Sequence, residues 1–226
     1  EKNSARNRIH DLALHPEDPH LLFLGTERGL FRSSDGGRSW RGPHRWPENQ
    51  PVEFVGFLPS PSSTFFLGTR RELFFSKDDG DTFESGFSLP LKSEENAEDI
   101  EEEELEEHSR LARFTSLALT AKDPSRLWMG TREGVFESHD GGIDWTKLPD
   151  RGLEDTIIHD LLFSDRRGAL IAATPKGVFQ YHAQEKRWGK LPVGLHRPPA
   201  SIALQINLKN EEVLLVASGG EIVEWV

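Results

Sequence analysis

A dipeptide that returns at one distance constrains this chain more than any other feature. Gly25-Thr26 recurs as Gly68-Thr69 after 43 residues, as Gly130-Thr131 after 62, as Ala173-Thr174 after 43 and as Ala217-Ser218 after 44. Short apolar runs broken by Pro, Gly and Asp fill each interval. Self-similarity at such a period is the signature of one small unit stacked several times. A single unit cannot bury both of its faces, so its neighbours must cover them. The long interval exceeds 43 by 19 residues, and the surplus contains an acidic run at 94–107 with ten acids and no base.

Each repeat reads as four short strands. In the first they fall at 9–15, 21–25, 29–33 and 39–43, with alternating or β-branched and aromatic content between turn residues. Four strands in about 43 residues is the arithmetic of a propeller blade. The expectation is an all-β fold, a β-propeller of about five four-stranded blades in a single domain over 1–226. The blades lie near 9–43, 52–89, 113–149, 157–192 and 200–226, with the acidic insertion at 93–108. The fifth repeat stops early. Either residues 1–8 supply its outer strand, or the last blade has three strands, or the chain is a fragment of a larger ring.

Three repeats carry Ser-x-Asp-x-Gly-x-x-aromatic: Ser33, Asp35, Gly37, Trp40; Ser76, Asp78, Gly80, Phe83; Ser138, Asp140, Gly142, Trp145. Ser and Asp side chains accept hydrogen bonds from turn N–H groups, and Gly supplies a positive φ. The aromatic is expected to bury its ring between neighbouring strands. The fourth repeat, at 181–188, keeps only Trp188, which predicts a looser or differently built turn. The motif resembles the Asp-box, or BNR, repeat of sialidases, sortilin-type receptors and photosystem II assembly factors. The surrounding Gly-Thr-x-x-Gly-Leu-Phe-x-Ser-x-Asp-Gly-Gly phrasing is most similar to the last of these. The resemblance implies a propeller with Asp-box hairpins that works by binding, as a protein-interaction or assembly-factor-like module. The alternative it leaves is a carbohydrate-binding or glycoside-acting propeller.

Chemistry-bearing residues are sparse. With no cysteine in 226 residues there is no disulfide, thiolate metal site or cysteine nucleophile, and the compartment stays open, leaning to periplasmic or secreted. The chain opens Glu1-Lys2-Asn3 without Met or a signal-peptide pattern, as a trimmed product would. No apolar run is long enough to span a bilayer, so membrane insertion is not expected. The net charge of −11 is local to the insertion: without those ten acids, 28 acids face 27 bases. Nucleic acid is disfavoured, since no aromatic-basic stripe is present. Sialidase chemistry needs a tyrosine nucleophile paired with a glutamate, and the sole tyrosine, Tyr181, sits in the degenerate turn. No catalytic residue, metal ligand or cofactor is predicted.

Two sets remain as candidate ligand or partner contacts. His10-Asp11 and His159-Asp160 open the innermost strands of the first and fourth repeats, with Glu53 and Thr115 as their counterparts. Adjacent residues on a strand face opposite ways, so one member of each pair should line a channel while the other packs between blades. Bases follow the Gly-Thr position as Arg28, Arg70, Arg71, Arg132 and Lys176. Of these, Arg28, Arg71, Arg132 and Lys176, together with His10 and His159, are the expected contacts for an anionic ligand or a protein partner.

Overall fold

The computed structural model describes residues 7–42, 50–58, 64–88, 113–207 and 209–225. The acidic run lies outside them. Among the described residues there is no helix, and eighteen strands form five antiparallel sheets, each with its strands in chain order. The chain folds as two compact units, Glu1–Leu89 and Pro90–Val226. The first holds β1 (Ile9–Leu14), β2 (Leu22–Thr26) and β3 (Gly29–Ser33), then β4 (Phe54–Phe57), β5 (Phe65–Gly68), β6 (Glu72–Ser76) and β7 (Glu84–Ser88). In the second, β8 (Phe114–Leu119), β9 (Leu127–Thr131), β10 (Gly134–Ser138) and β11 (Thr146–Lys147) form one sheet. β12 (Asp160–Ser164), β13 (Ala169–Thr174), β14 (Gly177–His182) and β15 (Arg187–Lys190) form the next, and β16 (Pro199–Ile206), β17 (Glu212–Ser218) and β18 (Glu221–Trp225) the last.

Three sheets have the expected four strands, whereas the first and last have three among the described residues. Of the strand expected at 39–43, the described residues 39–42 show one antiparallel bridge, between Arg32 and Arg41. Gly42, at φ 146°, turns the backbone out of line immediately after that bridge.

The cores follow from strand alternation. In β13 every residue is buried, because its two faces serve two cores. Leu170 and Ala172 join Trp128, Ile158, Phe179 and Trp188, while Ile171 and Ala173 join Val178, Ile202, Leu214 and Val216. In the first unit Phe23 stacks on Phe65 at 4.4 Å, and Phe57 lies 4.7 Å from Phe65.

The recurring Gly-Thr has two separate causes. The glycine marks a close approach: a Cβ on Gly25 would sit 2.9 Å from the Val52 carbonyl oxygen, and one on Gly130 would sit 2.8 Å from Ile158. The threonine ties the next turn. Thr26 donates to the Gly29 carbonyl at 2.8 Å and accepts from Arg28 N–H at 3.1 Å, and Thr131 and Thr174 repeat the pattern.

The three Ser-x-Asp-x-Gly turns share one hydrogen-bond pattern. Ser33, Ser76 and Ser138 donate to Asp35, Asp78 and Asp140 at 2.8, 2.7 and 2.8 Å. Each serine also accepts from the N–H of Gly37, Gly80 or Gly142 at 2.9 Å. Those glycines have φ of 85°, 82° and 95°. Trp40 and Trp145 donate back to the Gly37 and Gly142 carbonyls at 3.1 and 2.9 Å. Their rings are only half-buried, which corrects the expectation of full burial. The fourth repeat does turn differently. Lys186 takes a left-handed φ of 49°, and an ion pair from Glu185 to Arg187 replaces the Ser–Asp bonds. Its Trp188 is the most deeply buried of the closing aromatics, at 2% exposure, and donates to the Pro149 carbonyl at 3.1 Å.

The turns carry a pH dependence. Hydrogen bonds from the side chain and N–H of Ser39, then from Ser33, lower the Asp35 carboxyl to about 2. Thr82 and Ser76 do the same for Asp78, also to about 2. A carboxyl depressed in the folded state stabilises fully above its unfolded value, near 3.8, and that contribution is lost as pH falls towards 2. The expected result is a denaturation midpoint that falls between pH 4 and pH 2, and falls less in an Asp35→Asn/Asp78→Asn variant. Carboxyl carbon titrations near 3.8 instead would mean these bonds do not form.

Candidate functional site

The strand registers collect the candidate residues at one end of the sheets in each unit. Ile9 pairs with Thr26 and Phe114 with Thr131, and Asp160 pairs with Ala173, so innermost strands begin where the Gly-Thr turns lie. Bulges between Ile9 and Asp11 and between Phe114 and Ser116 lift His10 and Thr115 out of the pairing.

In the first unit this end holds a closed ionic network. His10 Nε2 meets Glu27 Oε2 at 3.0 Å, and its Nδ1 lies 3.7 Å from Glu53 Oε2. Arg70 reaches Glu53 at 3.4 Å and Glu27 at 3.8 Å. The Glu53 side chain is 7% exposed and that of His10 10%, so each needs its partners to offset lost hydration. His10 is thus held between two carboxylates. Sequence reasoning read the bases of these turns and missed Glu27; its place directly after the Gly-Thr pair was the available signal. Arg71 lines a cavity of about 300 Å³ with Gln50, Arg70, Glu72 and Ser88.

The second His-Asp pair differs. His159 donates from Nδ1 to the Pro199 carbonyl at 2.7 Å. The two aspartates, in contrast, do the same job. Asp11 accepts from Val55 N–H at 3.0 Å, and Asp160 accepts from Ile202 N–H at 2.9 Å and Ser201 Oγ at 2.6 Å. Each thus ties its strand to the first strand of the following sheet.

Arg28, Arg132 and Lys176 are exposed at the turn tips, and among the described residues none has a carboxylate within ion-pairing distance. Also among the described residues, no three His, Cys, Asp or Glu side chains gather as metal ligands would. Tyr181 packs its ring 5.1 Å from Trp188, and burial pushes its phenol above 10.0, away from nucleophile activation.

No protein-family model matches the chain, and no curated protein matches it in sequence. Solved structures do match its backbone. An ancestral GH74 enzyme superposes with a TM-score of 0.69 at 15% identity, over 96% of this chain and 30% of that one. YCF48 from Cyanidioschyzon merolae gives 0.62 at 15% identity, over 93% of this chain and 64% of its own. A chain of a nidogen/laminin complex gives 0.63 at 12% identity, over 93% and 72%. The fold is a five-bladed β-propeller. The propeller spans less than two thirds of the length of the first two of these neighbours. Both enzymes and non-enzymatic proteins share this fold, so its chemistry rests on the site. Among the described residues no helix of the propeller is long and apolar enough to cross a membrane.

Proposed function

We propose that this propeller works by binding a protein partner and catalyses nothing, as an assembly-factor-like module. The observation that carries the reading is the set of exposed bases Arg28, Arg132 and Lys176 on Thr-tied turns, which pair with no carboxylate among the described residues. Such groups attract an anionic surface and set the rate and orientation of docking. Arg71 and the cavity it lines extend the contact in the first unit; His10 in the first unit and His159 in the second stand at the starts of inner strands as further contacts. YCF48, which this chain resembles in backbone at 16% identity, was solved bound to a D1 peptide, and that supports protein binding here. The Ser-x-Asp-x-Gly turns are read as Asp-boxes in the structural sense, within one propeller domain over 1–226. No nucleic acid, metal or cofactor enters the proposal.

Capture from the native source tests it. The wild-type chain should retain a partner that an Arg28→Glu/Arg132→Glu/Lys176→Glu variant of unchanged melting temperature loses. Equal capture by both would sink the reading. The likeness to GH74 enzymes supports a second reading, a glycan-directed propeller. A polysaccharide screen separates the two, since the protein-binding propeller ignores glycans.

A further inference from the structure

Several bases of the second unit are paired with acids. Arg126 meets Glu137 at 2.7 Å, Lys147 meets Asp150 at 2.7 Å, Arg167 meets Glu212 at 3.1 Å and Lys190 meets Glu154 at 3.0 Å. A cavity of about 180 Å³ opens between the 175–177 turn and the 195–199 segment, walled by Lys176, His196, Arg197, Leu195, Pro198 and Pro199. No carboxylate lines it. Among the described residues none of its three basic side chains makes an ion pair. Outside the acidic run 28 acids face 27 bases, so a wall with three basic side chains and no acid is a local excess of positive charge.

The two permanent charges stand on pinned backbone. Lys176 N–H donates to Thr174 Oγ1 at 3.1 Å, fixing the turn. The Arg197 carbonyl accepts from Ser218 Oγ at 2.6 Å, and the Arg197 stem lies on Gly219, where a Cβ would come within 2.4 Å of it. Groups already held lose less freedom on binding. Lys supplies a compact point charge and Arg a planar fork, the pairing that suits phosphoryl oxygens. Two positive charges match a dianion, whereas a single carboxylate would leave one unneutralised. No aromatic ring among the walls offers a sugar a stacking surface.

We infer that the cavity between Lys176 and Arg197 is an oxyanion site for a doubly charged phosphoryl group. It goes beyond the protein-binding reading and does not depend on it, because free phosphate binds whether or not a partner docks. The test is titration of the whole chain with inorganic phosphate at constant ionic strength, followed by backbone amide resonances. Saturable shifts are expected at Lys176, Gly177 and Arg197, with acetate at least about tenfold weaker. Lys176→Gln and Arg197→Gln should each weaken phosphate about tenfold, the loss of one charge-assisted hydrogen bond. Lys209→Gln, an exposed base outside the cavity, should leave affinity unchanged. Should Arg197→Gln fail to fold, Lys176→Gln at its exposed turn tip decides alone. O-phosphoserine binding more tightly than inorganic phosphate assigns the group to a phosphorylated chain; the reverse assigns it to a free anion. Shifts that never saturate, that acetate matches, or that survive Lys176→Gln overturn the site.

Discussion

Trp128→Ala is expected to destabilise the second unit by about 4 kcal/mol, the range for truncating a large buried aromatic. Trp128 is 2% exposed and stacks on Phe163 at 4.4 Å with 9° between ring planes. Its Nε1 donates to Glu137 Oε1 at 2.9 Å, and the same oxygen takes Arg126 Nε at 2.8 Å. The Arg126 guanidinium in turn lies 4.8 Å from the indole centroid. One substitution thus opens a cavity, removes a donor from Glu137 and uncovers Arg126. Trp128→Phe separates these effects: it keeps most of the ring and loses the indole hydrogen bond, so about 1–2 kcal/mol is expected. Urea denaturation of the three proteins checks the order. A Trp128→Ala loss below about 1 kcal/mol would mean the ring is not the centre of this core.

Most of the architecture was legible because the period that builds the sheets is also the period of the sequence. Gly-Thr marks the end of the second strand in each of the first three sheets, where a Cβ on the glycine would press on Val52, on Phe54, or on Ser116 and Ile158. The Ser-x-Asp-x-Gly turns were legible for a similar reason, since every hydrogen bond that makes them joins residues no more than four apart. What depends on the next repeat was not legible. His10 and His159 occupy matching places, yet one meets Glu27 and Glu53 and the other meets the Pro199 carbonyl. Those partners lie up to 43 residues away at positions the repeat leaves variable. Of the neighbouring pair Arg70 and Arg71, the sequence favoured Arg71 as a contact; Arg70 is the one that reaches Glu53 and Glu27.

The second large effect is expected at the aspartates of the His-Asp pairs. Asp160→Ala should cost about 3 kcal/mol, because it removes three hydrogen bonds to a carboxylate, one of them from Leu161 N–H, and leaves a buried N–H without its acceptor. The acceptor serves Ile202 N–H at 2.9 Å and Ser201 Oγ at 2.6 Å, and Ile202 is 7% exposed within the core shared by two sheets. Water cannot replace the bond without entering that core. Asp11→Ala should behave alike in the first unit, where the orphaned donor is Val55 N–H, at 6% exposure. Asp160→Asn keeps one acceptor oxygen and should lose about half as much. A double-mutant cycle of Asp160→Ala with Ser201→Ala should give a coupling of about 1 kcal/mol, since the residues touch. Hydrogen exchange supplies the local reading: the Ile202 amide should exchange faster in Asp160→Ala than the overall loss of stability accounts for. Wild-type stability and exchange in both Ala variants would show that adjoining sheets hold together by apolar packing alone, and that the aspartates are surface groups with no joining role.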